Sequence, residues 1–303
     1  MIQKHKTLLL ASIFAVVSIQ SGRAKADLVF SGPTETTHAI DPAIAANDSR
    51  FREWANFIDP TRTSFAPRGS SVINQTGGFN SLGDLDATQI ANGLSPGFLT
   101  VTFPTGIRNG LGHDFAVFEN GFTFGTNSNG IPGLFAEFAY VDVSTNGIDF
   151  ARFSSISRNT GPIQGSGAFA GYDVTNVYNL AGKHAGGFGT PFDLAELTSH
   201  TLVSGGLLDL NNIQYVRLFD IPGNGAFVDS LGNPIRDNWL TTGSGGFDFR
   251  LGTGLGVGVM NVSAVPEPSS LALLTIAGMG GFAFRRRRHS RSRDTEGKAT
   301  ESV

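Results

Sequence analysis

Five carboxylates in the middle of the chain, Asp114, Glu119, Glu137, Asp220 and Asp248, stand at or near the ends of apolar, alternating runs. Oxygen atoms gathered where strands pass into loops are what Ca2+ takes, roughly six to eight of them with backbone carbonyls included. The five are therefore the candidate ligands of a calcium ion. Asp114 and Glu119 bracket Phe115-Ala-Val-Phe118, and their odd offset puts them on opposite faces of a regular strand. They can share a site only where Glu119 leaves the strand, before Asn120-Gly121. In Glu137 to Ser144, Glu137 falls on the same face as Ala139, Val141 and Val143. That face should meet the core, so Glu137 must find hydrogen bonds or a cation. The competing role for such acids is turn formation through their own backbone. No EF-hand spacing is present: Asp84-Leu-Asp86 and Asp209-Leu-Asn211 lack the glycine and the closing glutamate. Paired carboxylates also serve glycosidases, at separations of about 5 to 10 Å that a sequence does not reveal.

Other chemistries are excluded more firmly. Gly93-Leu-Ser-Pro-Gly97 spells a nucleophile elbow, but the residue after the serine must lend an N–H to an oxyanion, and Pro96 has none. Dinucleotide and phosphate-loop fingerprints are missing. His38, His113, His184 and His200 have no metal-binding spacing and are expected in exposed loops. The chain has no cysteine, hence no disulfide, zinc–thiolate site or thiol nucleophile. No catalytic residue is assigned, and the chain is expected to be a non-enzyme. Phe122, Phe124, Tyr172, Tyr178 and Trp239 lie in loop-like segments and could stack on sugars, with core packing as their competing role.

The elements that must carry these residues read as strands. Phe98 to Phe103, Asp114 to Glu119, Glu137 to Ser144, Ile148 to Phe153 and Ile213 to Phe219 alternate between Gly, Pro and Asn punctuation. Asn146-Gly147 predicts a tight type I′ hairpin turn. A Gly/Asn/Pro-rich loop is expected over Pro222 to Pro234, then closing strands near Gly246–Leu251 and Val257–Val262. Helix signal is thin: a turn or two from Arg50 to Phe57 capped by Asp48, and a short helix over Asp193–Leu197. Short strands without alternating helices predict an all-β, antiparallel β-sandwich over residues 27–262.

Both ends read as addresses. Lys4, His5 and Lys6, an apolar run from Leu8 to Ile19, and Ala24-Lys25-Ala26 make residues 1–26 a signal peptide, cut before Asp27. At the other end, Pro266-Glu267-Pro268 precedes an uncharged apolar helix over 269–284 and the cluster Arg285, Arg286, Arg287 and Arg288. Such a helix rises about 24 Å; its arginines stay cytoplasmic by the positive-inside rule and snorkel to the interface. Residues 291–303 follow as a disordered cytoplasmic tail. The overall charge of −3 conceals an acidic body: residues 27–264 hold 11 basic and 21 acidic residues. Such a body argues against nucleic-acid binding.

Pro-Glu-Pro, a short apolar helix and an arginine cluster in this order resemble the PEP-CTERM sorting signal of Gram-negative, exopolysaccharide-producing bacteria, here over 263–290. The resemblance implies signal peptidase and exosortase as partners during export and a membrane-held intermediate in the inner membrane. It then implies release to the cell surface, outer membrane or extracellular matrix, with extracellular polysaccharide as the partner of the body. A permanent single-pass anchor has the same hydropathy. The body also resembles cell-surface proteins built as galactose-binding-like jelly rolls. The strings that carry this are Asp114 to Phe122, Phe135 to Gly147, Asn179 to Lys183, Gly189 to Ala195, Asp229 to Asp237 and Ser244 to Asp248. Jelly rolls of this type often hold a structural calcium. One departure is visible: a Leu-Asp pair is expected after Asp248, where this chain has Phe249-Arg250.

Overall fold

A computed structural model describes residues 30–126, 130–162, 168–241 and 243–263. The expected signal peptide, apolar sorting helix and basic tail lie outside the described residues. Among those described, no helix is long and apolar enough to cross a membrane.

Nine strands build two antiparallel sheets. They are β1 (Ile44–Ala45), β2 (Glu53–Trp54), β3 (Phe98–Ile107), β4 (Phe115–Phe118), β5 (Ala139–Ser144), β6 (Ala151–Arg152), β7 (Phe188–Phe192), β8 (Ile213–Asp220) and β9 (Val257–Val259). One sheet has the order β1-β7-β4-β9-β2 and the other β3-β8-β5-β6. The register shows why alternation selects this arrangement. Val101 pairs with Val216 and Val216 with Val143, while Leu99 pairs with Leu218 and Leu218 with Val141. Each row points its side chains to one face, since strand side chains alternate. All of these residues lie in the core between the sheets, with Phe115, Val117, Phe192, Val257 and Val259 from the other sheet. Phe115 stacks on Phe192 with ring centroids 5.3 Å apart. The chain is thus an all-β sandwich, as its sequence predicts.

The outer face of the four-stranded sheet is also covered. Phe138 and Tyr140 pack there with Leu134, Tyr172, Val177, Leu180, Ile221 and Ile235 in a second apolar cluster. Every residue of β5 is therefore buried. One polar row crosses that outer face. Asp142 lies opposite Arg217 on β8 and Arg152 on β6. Its carboxylate accepts from Arg152 Nε at 2.7 Å and from Arg217 Nη2 at 2.7 Å. The guanidiniums sit over aromatic rings, Arg152 on Tyr140 and Arg217 on Phe150. Asp142→Ala should cost about 2 kcal/mol, since both arginines are partly exposed and can turn to water. The urea midpoint measures this, and an unchanged midpoint would show that the row contributes nothing net.

Several local expectations are corrected. Arg50–Phe57 is not helical: Glu53–Trp54 pairs with β9, and Phe51 and Trp54 pack edge-on and tilted against Phe118 on the outer face of the five-stranded sheet. The Asn146-Gly147 turn is longer than a two-residue type I′ turn. Asn146 Oδ1 caps the backbone N–H groups of Ile148 and Asp149, Gly147 takes φ 72°, and pairing resumes only at Ala151. The expected loop over Pro222–Pro234 contains a ribbon, Asn224–Val228 paired with Pro234–Arg236. Asp193–Leu197 forms a 3-10 turn over Leu194–Leu197, with the Asp193 side chain as its cap. A five-residue helix at Ala87–Ala91 went unread, although Asp86 and Gln89 form a capping box there. The histidines are not exposed loop residues: His184 is fully buried, and His38, His113 and His200 are half-buried.

A candidate cation site at one end of the sandwich

Three strand ends meet at one end of the sandwich. β4, the central strand of its sheet, runs out at Glu119; Glu137 stands two residues before β5; and Asp248 begins a two-residue strand, Asp248–Phe249, paired with Asn80–Ser81. Glu119, Glu137 and Asp248 are all buried, and each brings one carboxylate oxygen within 4.8 Å of the others. The structure therefore brings together three of the five candidate ligands.

The other two go elsewhere. Asp114, at the opposite end of β4, accepts from Gly110 N, Leu194 N and Asn261 Nδ2, each at 2.8 Å. It staples three segments together and offers nothing to the cluster. Asp220 closes β8 and accepts from Phe247 N at 2.8 Å, leaving its other oxygen buried without a hydrogen-bond partner among the described residues. It is not among the three residues that converge.

Short polar side chains fix the three carboxylates. Ser81 Oγ donates to Asp248 Oδ1, while Ser244 Oγ and Asn120 Nδ2 donate to Oδ2. Thr241 Oγ1 donates to Glu137 Oε1 at 2.9 Å. Gly121 N donates to Glu119 Oε2, but Glu119 Oε1 is buried with no hydrogen-bond partner among the described residues. Burial, and then the neighbouring Asp248, push the Glu119 carboxyl up to about 8. Glu137 is driven well above the ordinary carboxylate range by burial and by the charges of Glu119 and Asp248. Buried carboxylates this close cannot all be anionic unless a cation joins them. Gly121 is needed for space: a Cβ there would come within 2.8 Å of the Phe135 carbonyl and 3.0 Å of Glu119 Oε2. Sequence reading missed Asn120, Ser81, Thr241 and Ser244 as holders. Asn120-Gly121 and Ser244-Gly-Gly-Phe-Asp248 carry a signal in hindsight, and Ser81 carries none.

Asn120 and Ser244 are exposed, so the cluster lies just beneath the surface. Beside it runs a cleft lined by Phe122, Phe135, Phe169, Glu137 and Asp248. Phe122 stacks on Phe135 with centroids 4.8 Å apart and planes at 6°, and Phe169 follows at 5.3 Å. Phe122 and Phe169 are 47% and 72% exposed, so the cleft presents aromatic faces to solvent. Of the other aromatic candidates, Phe124 is exposed, Tyr172 is buried, Tyr178 donates to Glu196, and Trp239 Nε1 donates to the Leu85 carbonyl. Those last three pack the protein.

The fold and this end of it define the class: an all-β sandwich carrying a buried carboxylate cluster under an aromatic cleft. The destination comes from the tail, where residues 264–288 match the model of the PEP-CTERM protein-sorting motif. The chain is an exported protein sorted by exosortase to the surface of a Gram-negative bacterium, its tail residues Pro266, Glu267 and Pro268 and the arginine cluster lying within that match. No curated protein and no solved structure matches the chain.

Proposed function

We propose that the body is a non-enzymatic glycan-binding module of the cell surface or matrix, with Ca2+ seated among Glu119, Glu137 and Asp248. The orphaned, buried Glu119 Oε1 facing two further carboxylates carries this reading. A divalent ion supplies the missing partner and neutralises the cluster. It also orders the Asn120-Gly121 turn that leads into the strand starting at Phe122, so that Phe122 and Phe169 present a platform on which a pyranose ring can stack. Polysaccharide is the polymer that an exosortase-sorted surface protein meets outside the cell.

The test is a glycan array of extracellular polysaccharides, run in Ca2+ and in EDTA. Binding should appear in Ca2+ and fall about tenfold with Phe169→Ala, the scale of one lost aromatic stack. Absence of binding to every polysaccharide in both conditions would overturn the glycan reading. The second reading, a polysaccharide-cleaving enzyme, is favoured by the raised carboxyl of Glu119 beside Asp248, an acid–base pairing. Turnover of a bound glycan, abolished by Glu119→Gln, would establish it in place of the first.

Sorting can be tested separately. Replacing Pro266, Glu267 and Pro268 with alanine should leave the tail attached and the protein in the membrane fraction. Normal processing of that variant would show that exosortase does not read this motif.

A further inference from the structure

One residue after Gly182, whose backbone packs against the Glu137 carbonyl, the chain buries a lysine. Lys183 is the sole lysine between Lys25 and Lys298 and is 0% exposed. Its ammonium contacts Asp41 Oδ2, and Asp41 is itself 3% exposed. The two residues are 142 positions apart, one just before β1 and the other in the loop leading to β7. A lysine that serves only as a charge belongs at the surface, where water carries it. Here Phe30 and Val177 close over the pair, and the Phe30 ring lies 5.7 Å from Nζ.

The surroundings of the pair match a different bond better than an ion pair. Among the described residues, Lys183 Nζ has two oxygen partners, Asp41 Oδ2 and the Val177 carbonyl at 2.8 Å, for three ammonium hydrogens. Asp41 Oδ1 accepts the Ser31 N–H at 2.9 Å, and His38 Nδ1 lies 3.1 Å from it. A secondary amide between Nζ and the Asp41 carboxyl carbon would keep one N–H, aimed at the Val177 carbonyl. It would keep one carbonyl oxygen, Oδ1, already held by Ser31. Oδ2 is the atom such an amide discards. Every polar group that remains has a partner, and two buried charges disappear, with the desolvation penalty that each carries.

We propose that Lys183 and Asp41 condense into an intramolecular amide that ties the start of the mature chain to the loop before β7. The step balances without a co-reactant. One ammonium proton passes along the Nζ–Oδ2 contact, giving a free amine and a carboxylic acid. The nitrogen lone pair attacks the Asp41 carboxyl carbon, and the Ser31 N–H steadies the negative charge on Oδ1. A second proton then moves from nitrogen to Oδ2, the carbon–oxygen bond breaks, and water leaves. Burial assists the first transfer, since it pushes the Lys183 amine down to about 8. His184, also buried, bonds to Ser31 Oγ and Thr190 Oγ1 and takes no part. An exported chain without cysteine gains in this way a covalent staple that needs no oxidant.

Peptide mass spectrometry of the full chain, expressed in an exporting Gram-negative host, tests the bond. The peptides bearing Asp41 and Lys183 should be recovered joined, at their summed mass less one water. Lys183→Arg keeps the charge but cannot form the amide, so its two peptides should separate at full mass. Separate, unmodified peptides from the folded wild-type chain would overturn the proposal. A joined pair that persists in Asp41→Ala would overturn the assignment of these two residues.

Discussion

Asp114→Ala should lower the melting temperature by about 10 °C, the largest single loss expected from any carboxylate outside the cluster. The reason lies in what the side chain holds. Asp114 is fully buried, and its two oxygens collect the N–H of Gly110, the N–H of Leu194 and the Asn261 amide. These belong to the loop before β4, the turn after β7 and the segment after β9, so one carboxylate fastens three neighbours of the central sheet. Burial lifts its proton affinity while the three donors oppose that shift. Alanine leaves the donors without an acceptor, at about 1 to 3 kcal/mol for each one that water cannot reach. Gly110 and Asn261 are partly exposed, so the sum is about 4 kcal/mol. Asp114→Asn keeps an acceptor and should lose roughly half as much. Calorimetry decides: a loss under about 1 kcal/mol would mean that the three segments hold together without it. Because Asp114 is not near the cluster, the increment in melting temperature produced by Ca2+ should be the same in Asp114→Ala as in wild type.

The same pair of residues shows how far the sequence carries. Alternation in Phe115-Ala-Val-Phe118 made the strand visible, and the offset of five between Asp114 and Glu119 placed them on opposite faces. The two flank that strand, so they sit at its opposite ends, and only Glu119 reaches the carboxylate cluster. Glu137 was legible for the same reason: its face, with Ala139, Val141 and Val143, meets the core. What parity could not tell is that the other face of β5 is buried too, because the second apolar cluster draws on Tyr172, Val177 and Ile235, distant in sequence. Convergence was equally hidden. Asp248 reaches Glu119 only because Asp248–Phe249 pairs with Asn80–Ser81, a contact between segments more than 160 residues apart. Arg50–Phe57 had helical spacing of apolar residues, yet tertiary packing of Phe51 and Trp54 on Phe118 overrode that weak local preference. Lys183 stood out as the one lysine of the body, but nothing in composition distinguishes a lone surface lysine from a buried one.

In EDTA, the body should become less stable as pH rises from about 4.5 towards 8, the reverse of what an ordinary ion-paired carboxylate produces. Glu119 ordinarily titrates at 4.5 and is pushed up to about 8 in the fold. Between those values the folded chain holds a proton that the unfolded chain has released, so stability falls with pH, by about 1.4 kcal/mol per unit for each such group. Below 4.5 both states are protonated and the loss vanishes; above 8 it is complete, at most about 5 kcal/mol from Glu119. Glu137, Asp220 and Asp237 are shifted in the same direction, chiefly by burial, and steepen the fall. In the proposed calcium-bound state, Ca2+ takes the place of the protons. Its stabilisation should therefore be small at pH 5, grow towards pH 8, and be accompanied by proton release on binding near neutrality. Glu119→Gln separates the ion from the fold: it should melt higher than wild type in EDTA at pH 8, since no buried charge must form, and gain less from Ca2+. Melting temperatures at pH 5 and 8, with and without Ca2+, decide the matter. A Ca2+ increment that is absent, or that does not grow with pH, would remove the ion from the cluster and leave Glu119, Glu137 and Asp248 as a proton-bridged structural group.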